Sequence, residues 1–177
     1  MIFRIAEGLA DFSNVLALYN SSFPENERRL YAGATDFMEF TGTHNDRFHI
    51  LLAEAEDGNF QGFITYWNFD DFVYVEHFAV KRSLRGGGTG TALLSYLAEI
   101  CDKSILLEVE PPVDDITCRR VRFYEKNGFR IFDGFRYIQP PYSPDQCGLE
   151  LKLMLKGPYS PSEPSDLAEF LRVVYNA

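Results

Sequence analysis

The order of strand and helix signals predicts a mixed α/β domain, with antiparallel hairpins first and parallel crossovers afterwards. Three observations carry this expectation. Runs rich in aromatic and β-branched residues at 48–54, 60–69 and 72–80 are separated by Glu56-Asp57-Gly58-Asn59 and Asp70-Asp71, the short turn signals of a hairpin series. A glycine-rich turn at 85–90 runs from the third of these strands into a helical stripe of Leu93, Leu94, Leu97 and Ile100. A second helix pattern then lies between apolar runs at 104–110 and 129–139, the alternation that parallel crossovers need.

Residues 2–6 read as a short strand and 8–19 as a helix, in which Leu9, Phe12, Leu16 and Tyr19 recur at helical spacing before Phe23-Pro24 ends it. From 25 to 40 the pattern is again helical, broken by Gly33, with Glu25-Asn26-Glu27-Arg28-Arg29 facing solvent or lining a site. The run 72–80 is apolar almost throughout, as a central strand covered on both faces should be. Pro111-Pro112 stops the strand at 104–110. Asp115 is expected to N-cap the following helix; Arg122 and Lys126 suit its C-terminal dipole, and Gly128 its C′ position. Two strands, 129–139 and 149–156, close the domain on either side of the stiff Pro140-Pro141-Tyr142-Ser143-Pro144. The domain is thus expected over 1–157. Residues 158–177 form a Pro/Ser-rich linker and a tail helix, which docks on the domain or on a second copy to give a homodimer. Asp166 and Glu169 stand at capping-box spacing there, and Leu167, Phe170, Leu171 and Val174 share a face.

With 177 residues, 46% of them hydrophobic and 15% aromatic, the chain can bury a substantial core. Its 17 basic and 26 acidic residues leave a net charge of −9, which argues against nucleic acid and suits a cationic substrate. Cys101, Cys118 and Cys147 are widely spaced, so neither a disulfide framework nor a metal site is expected. The first residues lack the apolar core of a signal peptide, and no apolar run approaches the roughly 20 residues that span a bilayer. The expected setting is the cytoplasm, away from the membrane.

The turn carries the chemistry. Four of the five residues 86–90 are glycine, so bare backbone N–H groups can approach an anion ahead of a helix N-terminus. A P-loop would need Gly-Lys-Ser/Thr at the end of the turn, and a dinucleotide site would need its glycines after the first strand.

Arg85-Gly86-Gly87-Gly88-Thr89-Gly90 resembles the Arg/Gln-x-x-Gly-x-Gly/Ala signature of the GNAT superfamily of acetyl-CoA-dependent N-acetyltransferases. Phe123-Tyr124-Glu125-Lys126-Asn127-Gly128-Phe129 resembles its second signature, a Tyr near a helix end followed by Gly-Phe. The resemblance covers residues 1–156 and implies a mostly antiparallel sheet splayed between its two central strands, with helices on both faces. It implies acetyl-CoA as co-substrate, bound by Phe78, Ala79 and Val80 on the strand and by Arg85, Gly86, Gly87, Gly88, Thr89, Gly90 and Thr91 at the turn. The backbone N–H of Phe78 or Ala79 would face the oxyanion. Tyr124 is the expected general acid, since a phenol of pKa about 10 matches a departing thiolate. Glu76 and Glu110 are the leading candidate bases, ahead of Glu27, and Glu108 and Glu110, alternating onto one strand face, could bind or deprotonate a cationic amine. Glu27, Glu108 and Tyr142 are expected at the site of a small-molecule or peptide amine, attacked directly in a ternary complex, because no cysteine falls within the motifs. The alternatives are transfer of another acyl group, or an acyl-CoA sensor without turnover. Where the family often has Asn seven residues before its Tyr, this chain has Thr117, with Arg119 and Arg120 close by.

Overall fold

The computed structural model describes residues 1–176. The chain is a mixed α/β structure with five α-helices and a seven-stranded, mostly antiparallel sheet of order β1-β2-β3-β4-β5-β7-β6. The strands are β1 (Ile2–Ile5), β2 (Phe48–Glu54), β3 (Phe60–Asn68), β4 (Phe72–Val80), β5 (Ser104–Val109), β6 (Arg130–Gln139) and β7 (Leu149–Lys156). The helices are α1 (Gly8–Ser22), α2 (Ala34–Thr43), α3 (Thr89–Cys101), α4 (Asp115–Lys126) and α5 (Ala168–Tyr175). Contacts divide the described residues into two compact units, one of residues 1–68 and 75–102, the other of 69–74 and 103–176.

In the first unit β1 pairs with β2, and β2 with β3, both antiparallel. The hairpin between β2 and β3 closes where the sequence predicts, with Gly58 at φ +81° and Gly58 N–H donating to Ala55 O at 2.9 Å. Arg4 ties β1 to its surroundings by reaching Asp11 of α1 and Glu54 of β2, each at 2.5 Å. The core holds Phe12, Val15, Tyr19, Phe37, Leu51, Phe63, Ile64 and Trp67, with Leu93, Leu94 and Leu97 of α3.

The stretch 25–40 differs from its helical expectation. It begins with a 3₁₀ turn at Glu25–Glu27, continues extended, and becomes helical only at Ala34. Bonds back to the end of α1 and the residue after it hold the extended part. Arg28 Nε donates to Phe23 O at 3.0 Å, and Arg29 N–H donates to the Tyr19 hydroxyl at 3.0 Å.

In the second unit β7 pairs antiparallel with both β5 and β6, and β6 has an irregular register between Phe132 and Tyr137. The N-cap of α4 is Asp114, one residue before the expected Asp115: its Oδ1 accepts from Ile116 N–H at 2.9 Å and Thr117 N–H at 2.8 Å. Gly128 takes φ +86° after the helix. The tail packs inside this unit, where Leu167, Phe170, Val174 and Tyr175 are buried. Its first turn is fixed by Asp166, which accepts from Ser162 N–H and Glu163 N–H at 2.6 and 3.2 Å, so the expected Asp166–Glu169 box gives way to an earlier start.

Candidate functional site

The site residues of the first unit lie around the glycine-rich turn and on β4. After β4 a short 3₁₀ turn, Arg82–Leu84, leads into the glycines, with Gly86 at φ +81° and Gly88 at φ +88°. A Cβ would strain both backbones, although open space surrounds each position. Gly88 is the N-cap of α3, and its carbonyl accepts from Ala92 N–H at 3.0 Å. The N–H groups of Gly86, Gly88, Thr89, Gly90 and Thr91 meet no acceptor among the described residues. These are five free donors, two of them set by left-handed glycines and three belonging to a helix N-terminus, the groups that an anion would need.

Beside this surface is a cavity of about 340 Å³ lined by Met1, Gln61, Ser83, Leu84, Arg85, Gly87 and Thr89. Met1 and Gln61 are additions that the sequence does not announce. Arg85 Nε donates back to Val80 O at 3.3 Å, and Thr89 Oγ1 to Gln61 Oε1 at 3.2 Å, so the turn is fixed to the ends of β4 and β3. Thr91 sits on the first turn of α3, and its hydroxyl has no hydrogen-bond partner among the described residues.

On β4, Glu76 is not open to an acceptor. Its side chain is 2% exposed, Trp67 Nε1–H donates to Oε2 at 2.8 Å, and Arg29 Nε lies 3.3 Å from Oε1. The Arg29 guanidinium also lies 5.0 Å from the Phe40 ring centroid and 5.9 Å from that of Trp67. Glu76 therefore anchors the extended segment before α2. His77 packs at 4.7 Å from the rings of both Tyr19 and Phe23, and burial lowers its pKa, keeping the imidazole neutral. Its Nε2 is 3.2 Å from Glu27 O, so Glu27 is brought to β4 through its main chain.

The second unit holds Tyr124, Glu108, Glu110 and Tyr142. Tyr124 is buried near the end of α4, edge-on to Phe129 at 5.6 Å, and burial pushes its phenol up to about 12, with Arg120 pulling the other way. Thr117, in place of the family's Asn, serves the cap: its Oγ1 accepts from Val113 N–H and Asp114 N–H, each at 3.1 Å. Glu108 and Glu110 share a strand face in sequence but go to different partners. Glu110 forms an ion pair with Arg120 of α4 in which both side chains are nearly half exposed.

Glu108 lies among neutral donors. The hydroxyls of Tyr74 and Tyr175 reach its Oε2 at 2.9 and 3.0 Å, Gln139 Nε2 reaches the same oxygen at 2.7 Å, and the Tyr137 hydroxyl donates to Oε1. Burial raises the Glu108 carboxyl to about 7 in spite of these donors, since no cation acts on it among the described residues. Tyr142 joins the cluster through Tyr175, at 5.1 Å between ring centroids. Sequence reading singled out Glu108 and Tyr142, but it gave no role to Tyr74 or Tyr175. Their hydroxyls are 34 and 67 residues from Glu108 along the chain, beyond any local pattern.

Three comparisons bear on this arrangement. The family described as "Acetyltransferase (GNAT) family" matches residues 12–129. YjbC of Bacillus subtilis (strain 168), named as an acetyltransferase, is 29% identical over 109 residues, covering 60% of this chain. The match spans only 55% of that relative. A GNAT-family structure from Bacteroides thetaiotaomicron is similar over 100% of this chain and 99% of its own, with 31% identity and a TM-score of 0.87. The fold is also similar to that of yncA from Salmonella typhimurium, solved with acetyl-CoA, over 92% of this chain and 98% of that one, at 19% identity and a TM-score of 0.63. The chain belongs to the GNAT acetyltransferase family.

Proposed function

We propose that this protein transfers the acetyl group of acetyl-CoA to a primary amine of a small molecule or peptide, by direct attack in a ternary complex. The observation that carries the reading is the set of five free N–H groups at Gly86, Gly88, Thr89, Gly90 and Thr91. A pyrophosphate needs several donors converging from one side, and these amides with the N-terminal dipole of α3 supply them. Arg85, held against Val80, and Gly87 complete the wall of that cradle. The solved relative yncA, which carries acetyl-CoA on the same fold, supports the identity of the donor.

In this reading the end of β4 lies along the pantetheine arm, and the N–H of Phe78 or Ala79 stabilises the oxyanion as the amine nitrogen bonds to the thioester carbon. The C–S bond then breaks, the thiolate takes the Tyr124 proton, and the proton that the nitrogen sheds on becoming an amide restores the phenol through water. A phenol held near 12 stays protonated throughout the neutral range and is ready to donate. Glu27, Glu108 and Tyr142 are assigned to the acceptor. Of the candidate bases, Glu76 is committed to Trp67 and Arg29, and Glu110 to Arg120 at the surface. We place the reaction in the cytoplasm, where the three free cysteines would stay reduced. No described helix is long and apolar enough to cross a membrane.

The test is thiol release from acetyl-CoA against polyamines, aminoglycosides, amino acids and peptide N-termini, with calorimetric binding of acetyl-CoA alongside. Binding together with amine-dependent release is expected. Binding with no release on any amine would make the chain an acyl-CoA sensor, and release only from a longer acyl-CoA would change the group transferred. Absence of binding overturns the cradle.

A further inference from the structure

The bonds around Glu108 have a particular proton count. Gln139 uses its two Nε2 protons on Glu108 Oε2 at 2.7 Å and on the Tyr175 hydroxyl at 2.9 Å. Tyr137 uses its single proton on Glu108 Oε1. What remains is a triangle of oxygens: Tyr74 hydroxyl to Glu108 Oε2 at 2.9 Å, Tyr175 hydroxyl to Oε2 at 3.0 Å, and the two hydroxyls 2.7 Å apart. Its three sides have only the two phenolic protons between them. With Glu108 ionised, one side brings two lone pairs together. A proton on Oε2 would complete the triangle.

The surroundings favour the same state. The pairing partner of Glu108 on β7 is Leu153, the Tyr74 ring lies edge-on to Phe170 at 4.5 Å, and no Lys, Arg or His acts on the carboxyl among the described residues. Glu108 is half-buried, whereas Tyr74, Tyr137, Gln139 and Tyr175 are all buried, so Glu108 is the most open member of the group. A proton arriving from a solute therefore reaches a carboxylate that gains a hydrogen bond by accepting it.

We propose that Glu108 is the proton acceptor of the transfer, with Tyr74 and Tyr175 as the positioning residues that hold its Oε2 ready for that proton. The assignment rests on the reading of the chain as an amine acetyltransferase. An ammonium N–H bond breaks, its proton passes to Oε2, and the electron pair left on nitrogen forms the bond to the thioester carbon. Glu108 afterwards returns the proton to water. The tail helix is then part of the site, because α5 supplies Tyr175.

Two measurements test this. Infrared difference spectra across a pH series should show a protonated carboxyl band that is lost in Glu108→Gln and whose midpoint moves in Tyr175→Phe. In thiol-release assays, Glu108→Gln should lower kcat/KM at neutral pH by about a hundredfold or more. That loss should shrink as pH rises towards the pKa of the amine, because a free amine needs no base. Tyr175→Phe should lower kcat several-fold with little change in the KM for the amine. A pH-independent loss in Glu108→Gln would show a structural role and overturn the assignment. So would a wild-type spectrum without the Glu108 band. Unchanged turnover in Glu108→Gln, with an active wild-type chain, overturns this assignment alone, whereas a wild-type chain inactive on every amine overturns it together with the transferase reading. Should Glu108→Gln not fold, the pH dependence and spectrum of Tyr175→Phe, which lacks one hydroxyl, still decide the outcome.

Discussion

Glu108 has a consequence for stability that does not depend on the reaction. Its carboxyl sits at about 7 in the fold, above the ordinary 4.5, because burial disfavours the charge. For an acid raised on folding, the native state holds its proton while the unfolded chain has lost it, so stability falls as pH rises from about 4.5 to about 7 and is flat above. The full effect is about 3 kcal/mol. Glu108→Gln should therefore flatten this part of the profile, and the check is urea unfolding of both chains at pH 5 and pH 8. A wild-type chain that loses no more stability over that interval than the variant would contradict the burial argument. Tyr124→Phe removes one hydroxyl from a buried ring and is expected to lower turnover by about a hundredfold with acetyl-CoA affinity unchanged. Gly88→Val acts on the other half of the chemistry. It forces a β-branched residue to φ +88° beside the free amides, and should weaken acetyl-CoA binding at least about tenfold by calorimetry at a cost of about 1–2 kcal/mol in stability.

The elements connect these residues to the fold through close approaches of backbone. Gly62 on β3 is the clearest: a Cβ there would stand 2.6 Å from Ala79 O and 3.1 Å from Val80 Cα. Gly62→Ala must push away the end of β4 that is assigned to the pantetheine arm. It should cost about 1–3 kcal/mol in chemical denaturation and weaken acetyl-CoA binding by calorimetry, although no atom of residue 62 belongs to the cradle. Much at this scale was legible in the sequence. The bounds of β2 and β4 and the start of α3 fall where aromatic and β-branched runs meet Asp-Gly, Asp-Asp or the glycine turn, and β7 runs between Gly148 and Gly157, since local breakers decide strand ends. The stretch 25–33 was not legible, because its helical pattern is overridden from outside it: Arg29 answers to Glu76 and Tyr19, and Arg28 to Phe23. The donors around Glu108 escaped for a similar reason. Nothing in a Tyr at position 74 or 175 states that its hydroxyl ends on a carboxylate in β5.

The tail helix has a packing part and, in the proposal for Glu108, a chemical part, and the two can be separated by substitution. Phe170 is 1% exposed and lies edge-on to Tyr74 at 4.5 Å, with Phe69 and Phe72 within 6.3 Å, so it is the principal apolar anchor of α5. Tyr175 shares that packing but ends in the oxygen triangle around Glu108. Removing the Phe170 ring leaves a cavity and should cost about 3–5 kcal/mol, a large part of the 5–15 kcal/mol that holds a domain together. Removing the Tyr175 hydroxyl alone should cost about 1 kcal/mol, because the ring still fills its place. Since these contacts lie within one chain, the midpoint of thermal unfolding for Phe170→Ala should drop by the same amount at every protein concentration. The comparison to make is calorimetric unfolding of the wild-type, Phe170→Ala and Tyr175→Phe chains over a hundredfold range of concentration, with the mass of each followed by light scattering. A destabilisation that disappears at high concentration, together with a doubled mass, would mean that the tail is held by a second copy, and the oxygen triangle would then have to be assembled between subunits.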